Sequence, residues 1–154
     1  MSSWLDHKIP PPVIGAMAAA GMWGLSGFGP PIPLPPVARV AAVAVLVAAG
    51  LGVDLAGLAA FRGARTTVNP LQPQRASALV TGGVYRFTRN PMYLGMALLL
   101  SAWAVHLSSW LALAGPLAFV LYITRFQIVP EERVLQANFG EAFTRYAARV
   151  RRWL

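Results

Sequence analysis

The chain has 154 residues, 56% of them hydrophobic and only 12% charged, with a mean hydropathy of +0.55. Soluble domains carry about 25% charged residues, so an ordinary water-soluble globule is excluded and a small integral membrane protein is expected. Thirteen Lys+Arg against five Asp+Glu give +8, while the absence of cysteine excludes disulfides, thiolate metal sites and cysteine nucleophiles.

Four apolar stretches follow one another: residues 13–28, closed by Gly29-Pro30-Pro31, then 37–61, 92–107 and 110–129. Crossing a bilayer takes about 20 apolar residues. The second and fourth stretches meet that length, and the first and third need flanking residues. The expected architecture is all-α and integral to the membrane: four transmembrane helices plus a C-terminal amphipathic helix. The first stretch reads as an uncleaved span, because Asp6, His7 and Lys8 make a poor basic leader and Pro10-Pro11-Pro12 interrupts the approach.

A single membrane domain over 1–154 then divides into two N-terminal spans (1–61), a basic connection (62–91), a helical hairpin (92–129) and an amphipathic helix (130–154). The connection holds Arg62, Arg65, Arg75, Arg86 and Arg89 without an acid, and the last segment holds Arg133, Arg145, Arg149, Arg151 and Arg152. The other two connections are uncharged. Basic segments mark the cytoplasmic face, so both termini and both basic segments are expected there, in a membrane that the Ala/Gly/Arg-rich composition suggests is bacterial and inner. This assigns the positive surplus to topology and to anionic lipid partners, not to nucleic acid. Gly115-Pro116 falls inside the fourth span, where a kink is tolerated. In the last segment Leu135, Phe139, Phe143, Tyr146, Val150 and Leu154 recur at three- and four-residue steps, opposite Arg133, Glu141, Arg145, Arg149 and Arg152. That is an amphipathic helix suited to a membrane surface, with Glu141 placed to pair with Arg145.

Two polar clusters lie beside the apolar stretches. In Thr81-Gly82-Gly83-Val84-Tyr85-Arg86-Phe87-Thr88-Arg89-Asn90-Pro91-Met92-Tyr93-Leu94-Gly95, the glycines permit a tight turn and Pro91 can open a helix. Arg89 and Asn90 then sit beside free backbone N–H groups suited to an anion. The plainer alternative is an interfacial anchor of snorkelling arginines and headgroup-level tyrosines. In Pro130-Glu131-Glu132-Arg133, paired carboxylates would attract a cation or ammonium, or else complement a helix dipole. Asp54 is an ionisable residue within a span and a functional suspect, with pairing to Arg62 the expected alternative. Arg125 either snorkels or meets a ligand carboxylate. His7 and His106 are too far apart to suggest a metal site, and none is expected. Small-residue spacings around Gly50 and Asp54 favour close helix packing and could support a homodimer.

At these two clusters, together with Phe139-Gly140-Glu141 and Tyr146, the sequence resembles the isoprenylcysteine carboxyl methyltransferases and the related phospholipid N-methyltransferases. The resemblance covers about the second half of the chain. It implies a membrane methyltransferase that uses S-adenosylmethionine, with cofactor-binding positions at Tyr85, Arg89, Asn90, Pro91, Tyr93, Gly95, Glu131 and Glu132. Glu132, Arg89 and Arg149 are the candidates for catalysis, and Arg125 and Arg152 for orienting the substrate. Asn90 stands where the family pattern often has His; it can hydrogen-bond but carries no proton near neutral pH. The expected acceptor is lipophilic: an isoprenylcysteine-type carboxylate or a small lipophilic thiol, amine or carboxylate, with a phospholipid amine as the alternative. Membrane sterol reductases carry a similar hairpin but more preceding spans, and a non-enzymatic assembly protein would keep both clusters as anchors only.

Overall fold

The computed structural model describes residues 9–63 and 79–154. Asp6, His7 and Lys8, and Arg65 and Arg75 of the basic connection, lie outside the described residues. Helix α1 (Pro11–Leu25) opens with two prolines, tolerated there because the first helical N–H groups have no partner in any case. It ends in a 3₁₀ turn, Ser26–Phe28, before the proline-rich loop. Helix α2 spans Pro36–Gly63 and α3 spans Pro91–Leu107, again with proline at its first position. A 3₁₀ turn, Leu111–Leu113, leads into α4 (Ala114–Ile123), which passes through a π-turn, Thr124–Ile128, into α5 (Val129–Phe139). Helix α6 (Glu141–Arg149) follows Gly140.

Consecutive long helices run antiparallel, giving the molecule two ends. At one end the proline-rich loop pairs with the turn after α3: the Ile32 and Trp110 N–H groups donate to the carbonyls of Ser108 (2.9 Å) and Pro30 (3.2 Å). Ser108 accommodates the reversal in a left-handed conformation, φ 52°. The basic segments gather at the opposite end, where α2 and α5 finish and α3 begins.

The main core lies between α1, α3 and α4. Phe119, Ile123 and Ile128 are its most deeply buried large side chains, with Tyr93, Leu100, Ala104 and Met22 around them. The Trp103 indole N–H donates to the Ala19 carbonyl at 3.1 Å, and Met22 fills the space above Gly115 that a side chain there would need. Gly115 and Pro116 thus occupy the first turn of α4, where the missing proline N–H costs nothing. The irregularity expected at that pair occurs instead one to two turns later. In the π-turn the Val129 N–H reaches back five residues to the Thr124 carbonyl.

Two helices, Pro36–Arg62 and Leu111–Phe139, are long and apolar enough to cross a membrane. At 15 and 17 residues, α1 and α3 fall below the usual length of about 20, so of the four spans expected from sequence two reach full spanning length among the described residues. In α2 only 11% of the most apolar window is buried, and Val40, Val45, Leu51 and Leu55 are exposed. A soluble core helix would hide those side chains. Here they face outward, as a lipid-facing helix requires.

The segment 130–154 is not one amphipathic helix. Gly140 adopts φ 50°, ψ −123°, a conformation that only glycine holds without strain, and this separates α5 from α6. Residues 150–154 leave the helix in extended form. Nor is the apolar face of α6 free for a membrane surface. Phe143, Tyr146 and Val150 form a second buried cluster with Tyr85, against Phe61, Leu79, Val80 and Val84. The expected Glu141–Arg145 pair is present at 3.2 Å on the exposed side.

Candidate functional site

The site is built around the first turn of α3. Thr88, fully buried, accepts the Asn90 N–H on its hydroxyl at 3.1 Å, which fixes the turn into Pro91. The extended 150–154 segment lies across this turn. The Arg89 N–H donates to the Arg151 carbonyl (3.0 Å), while the Thr88 hydroxyl (3.4 Å) and the Asn90 side-chain amide (2.9 Å) donate to the Arg152 carbonyl. Asn90 therefore spends its amide on the chain itself. The Trp153 indole N–H completes the strap by donating to the Thr124 hydroxyl in the π-turn at 3.1 Å.

The side chains beneath the strap form a charge cluster. One Arg89 nitrogen donates to the Ala147 carbonyl (3.0 Å) and another to Glu132 Oε1 (2.7 Å). Arg152 grips the same carboxylate with both prongs, Nε to Oε1 (3.0 Å) and a terminal nitrogen to Oε2 (2.7 Å). Its proton is held more firmly for that reason. Forked, charge-assisted bonds of this kind fix orientation as well as adding energy. Glu131, on the adjoining face, accepts the Tyr93 hydroxyl at 2.6 Å. The Arg89 Nε–H is buried with no partner among the described residues.

Aromatic rings wall the cluster on the side of α2 and α6. Tyr85 packs edge-on against Phe61, centroids 5.4 Å apart, and its carbonyl accepts the Tyr146 hydroxyl at 2.8 Å. Burial holds both phenols in the neutral form: the Tyr146 pKa is pushed up to about 12 against an opposing pull from Arg89, and that of Tyr85 rises further, with Tyr146 and Glu131 adding to the effect. An open apolar cleft of about 640 Å³ adjoins these rings, between Ala56, Ala59 and Ala60 of α2 and residues 79–84, which run into a 3₁₀ turn at Gly83–Arg86.

Of the positions expected from sequence, the fold brings together Tyr85, Arg89, Asn90, Pro91, Tyr93, Glu131, Glu132 and Arg152. Gly95 faces the other way, toward α2. Arg125 lies on the surface with its guanidinium 5.4 Å from the Phe126 ring centroid, and Arg149 is exposed, donating to the Arg145 carbonyl. Asp54 makes no pair with Arg62, which stands eight residues further along the same helix; its carboxyl packs on Gly95. Sequence reasoning gave no role to Thr88, Thr124, Trp153 or Gln127. Gln127 is fully buried and its amide donates to the Ile9 carbonyl at 2.8 Å, tying the start of α1 to the π-turn. The four-residue spacing Phe119, Ile123, Gln127, Glu131 carries the signal, a polar residue in a buried stripe.

A family model described as phospholipid methyltransferase matches residues 38–142. The chain is also 46% identical over 63 residues to a protein of Haemophilus influenzae described as an "Uncharacterized protein", a match spanning 41% of this chain and 100% of that one. No solved structure gives a significant match. The matched region runs from the start of α2 into α6 and takes in both polar clusters, so the chain belongs to the phospholipid methyltransferase family.

Proposed function

We propose that the chain transfers the methyl group of S-adenosylmethionine to a lipophilic acceptor at the face of the membrane where α3 begins. The observation that carries this reading is the meeting of opposite chemistries where the turn into α3 packs on the start of α5. Arg89, part-buried and with an unused Nε–H, pairs with Glu132, while the adjacent carboxyl, Glu131, accepts the Tyr93 hydroxyl close to the Tyr85 ring. S-adenosylmethionine carries a carboxylate, an ammonium and a sulfonium. The free Arg89 Nε–H and the α3 N-terminus suit the first; a carboxylate among aromatic rings suits the other two. The residues present therefore fit the cofactor, which when bound supplies an activated methyl group.

Each residue then has a task. Glu131 and Tyr93 receive the cationic part of the cofactor, with Tyr85 as the aromatic wall. Glu132 orients Arg89 and Arg152 through the ion pairs described above. Asn90, Pro91 and Gly95 set the course of the helix that presents Arg89 and Tyr93. Arg152, with its partly exposed guanidinium, and the outlying Arg125 and Arg149 are placed to attract an acidic headgroup. Methyl transfer is an in-line displacement, so alignment and water exclusion supply most of the rate, and a strapped, largely buried cluster provides both. With the basic segments at the cytoplasmic face, both termini and the site share that side and four helices cross the bilayer.

The test is transfer of labelled methyl from S-adenosylmethionine by the purified protein in nanodiscs to long-chain acid, thiol, amine and phospholipid-amine acceptors. Label in any of these products, lost in Glu131→Gln, supports the reading. A folded sample that labels none of them overturns it.

A further inference from the structure

The Arg89 Nε–H that suits a ligand carboxylate is buried without a partner among the described residues, and the Arg89 side chain is only 13% exposed. Glu132 is shielded alongside it, and Tyr93 is buried. A charged ligand reaches these groups only when part of their cover moves away.

Arg89 hydrogen-bonds to three segments: α5 through Glu132, α6 through the Ala147 carbonyl, and the 150–154 strap through the Arg151 carbonyl. Two of the three are fixed by apolar packing. Helix α5 continues from the π-turn, whose Gln127 and Ile128 are fully buried. Helix α6 is seated by Phe143 and Tyr146 in the second core cluster, and Val150 at its end belongs to the same cluster.

The strap is held differently. The chain turns extended at Val150, φ −119°, ψ 129°, and past that point its contacts are mostly polar. They are the Arg151 and Arg152 carbonyl bonds to residues 88–90, the forked Arg152–Glu132 pair, and the Trp153 indole on Thr124. Apolar anchorage is thin: Trp153 is partly buried against the main core and Leu154 is exposed. Segments with few buried apolar contacts open at free energies well below that of global unfolding.

Opening about Val150 has a specific consequence. It releases the Arg89 N–H, the Thr88 hydroxyl and the Asn90 amide from the two strap carbonyls, and Glu132 from Arg152. Donors for an anion and a carboxylate for a cation are uncovered in one movement. Arg89 stays aimed throughout, because Ala147 and Glu132 still hold its two terminal nitrogens.

We propose that the strap is a gate: given the methyltransferase reading, it swings out about Val150 to admit S-adenosylmethionine and recloses over it. The Trp153–Thr124 bond is the latch, since it ties the far end of the strap to the buried π-turn. Such gating loops admit a ligand and then exclude water.

The experiment compares wild type with Trp153→Phe, which keeps the ring and removes the latch donor, and with Thr124→Val, which removes its acceptor. Thermal unfolding in nanodiscs is the folding control for both. Native-state hydrogen exchange follows the Arg89 amide, whose partner is the Arg151 carbonyl, against amides in the middle of α3. Association and dissociation of labelled S-adenosylmethionine are timed by rapid filtration. The gate expects the Arg89 amide to exchange while the middle of α3 stays protected. Each variant should speed that exchange roughly fivefold, the scale of one neutral hydrogen bond. Association and dissociation should quicken by a similar factor, leaving Kd within about threefold of wild type. A merely structural strap moves only dissociation and weakens Kd. That outcome overturns the proposal, as does an Arg89 amide that exchanges only with global unfolding. Failure of wild type to bind S-adenosylmethionine sinks the methyltransferase reading separately, while the exchange arm still decides whether the strap opens.

Discussion

Glu132 and Arg152, twenty positions apart, form a forked ion pair with nitrogen–oxygen distances of 3.0 and 2.7 Å, and Arg89 closes on the same carboxylate from the start of α3. One side chain of α5 thereby holds both the strap and the turn that opens the third helix. The carboxylate is partly buried, with 18% of its side-chain surface exposed, so its loss leaves two guanidiniums under-compensated in a restricted space.

Glu132→Gln is expected to lower stability by about 2 kcal/mol, the scale of charge-assisted hydrogen bonds at a partly shielded site. Arg152→Gln removes one arm and leaves the Arg89 pair, so it costs less. Chemical denaturation of the two single variants and the double variant checks this. The two substitutions should be clearly non-additive, because they remove the same contact.

Gly95→Ala is expected to force α2 and α3 apart, because the new methyl group meets the Asp54 carboxyl and lies 2.7 Å from the Gly50 carbonyl. Overpacking of this kind costs about 1–3 kcal/mol or more. Adding Asp54→Ala should recover part of the loss, since one of the two obstacles is gone. Thermal unfolding of the single and double variants measures the recovery.

Gly140→Ala is expected to cost about 1–3 kcal/mol, because the φ 50°, ψ −123° conformation is strained for any residue with a Cβ. No neighbouring atom stands in the way of the added methyl group, so the whole effect comes from the backbone. Denaturant unfolding gives the loss, and fluorescence of Trp153 reports whether the strap shifts with α6.

The Tyr146 hydroxyl donates to the Tyr85 carbonyl and both phenols are held neutral by burial. A raised phenol pKa stabilises the fold fully below the unfolded value near 10 and is lost as pH climbs through the folded value, about 12 for Tyr146. Stability should therefore be level in this respect up to pH 10 and fall above it. Tyr146→Phe should lower the plateau by about 1 kcal/mol and soften the fall. Unfolding midpoints between pH 8 and 12 decide the point.

Much of this architecture is legible in the residues. The apolar runs at 37–61 and 92–107 became α2 and α3 almost residue for residue, because composition over twenty positions outweighs local detail. Pro91 opened its helix as the missing N–H predicts. The break at Gly140 was less legible: Leu135, Phe139, Phe143 and Tyr146 keep helical spacing across it, and a glycine costs a helix only about 1 kcal/mol. What the periodicity could not carry is the left-handed turn that swings α6 onto Tyr85 instead of a membrane surface. The π-turn likewise arises from tertiary fit around Gln127 and Thr124, not from a local signal. At the site, the acids and arginines were visible but their pairing was not. Several arginines follow Glu132 in the sequence, and only the extended strap selects Arg152, leaving Arg149 outside. Asp54 found Gly95 and not Arg62 because the helix crossing point decides what faces it.

The most direct test of the central claim is calorimetric titration of S-adenosylmethionine into detergent-purified, monodisperse protein, with Glu131→Gln and Arg89→Gln alongside. The account predicts saturable binding by the wild type, weakened by roughly tenfold or more in each variant whose unfolding shows it remains folded. Absence of binding by the folded wild type, or undiminished binding by both folded variants, would contradict a cofactor site built on Arg89 and Glu131.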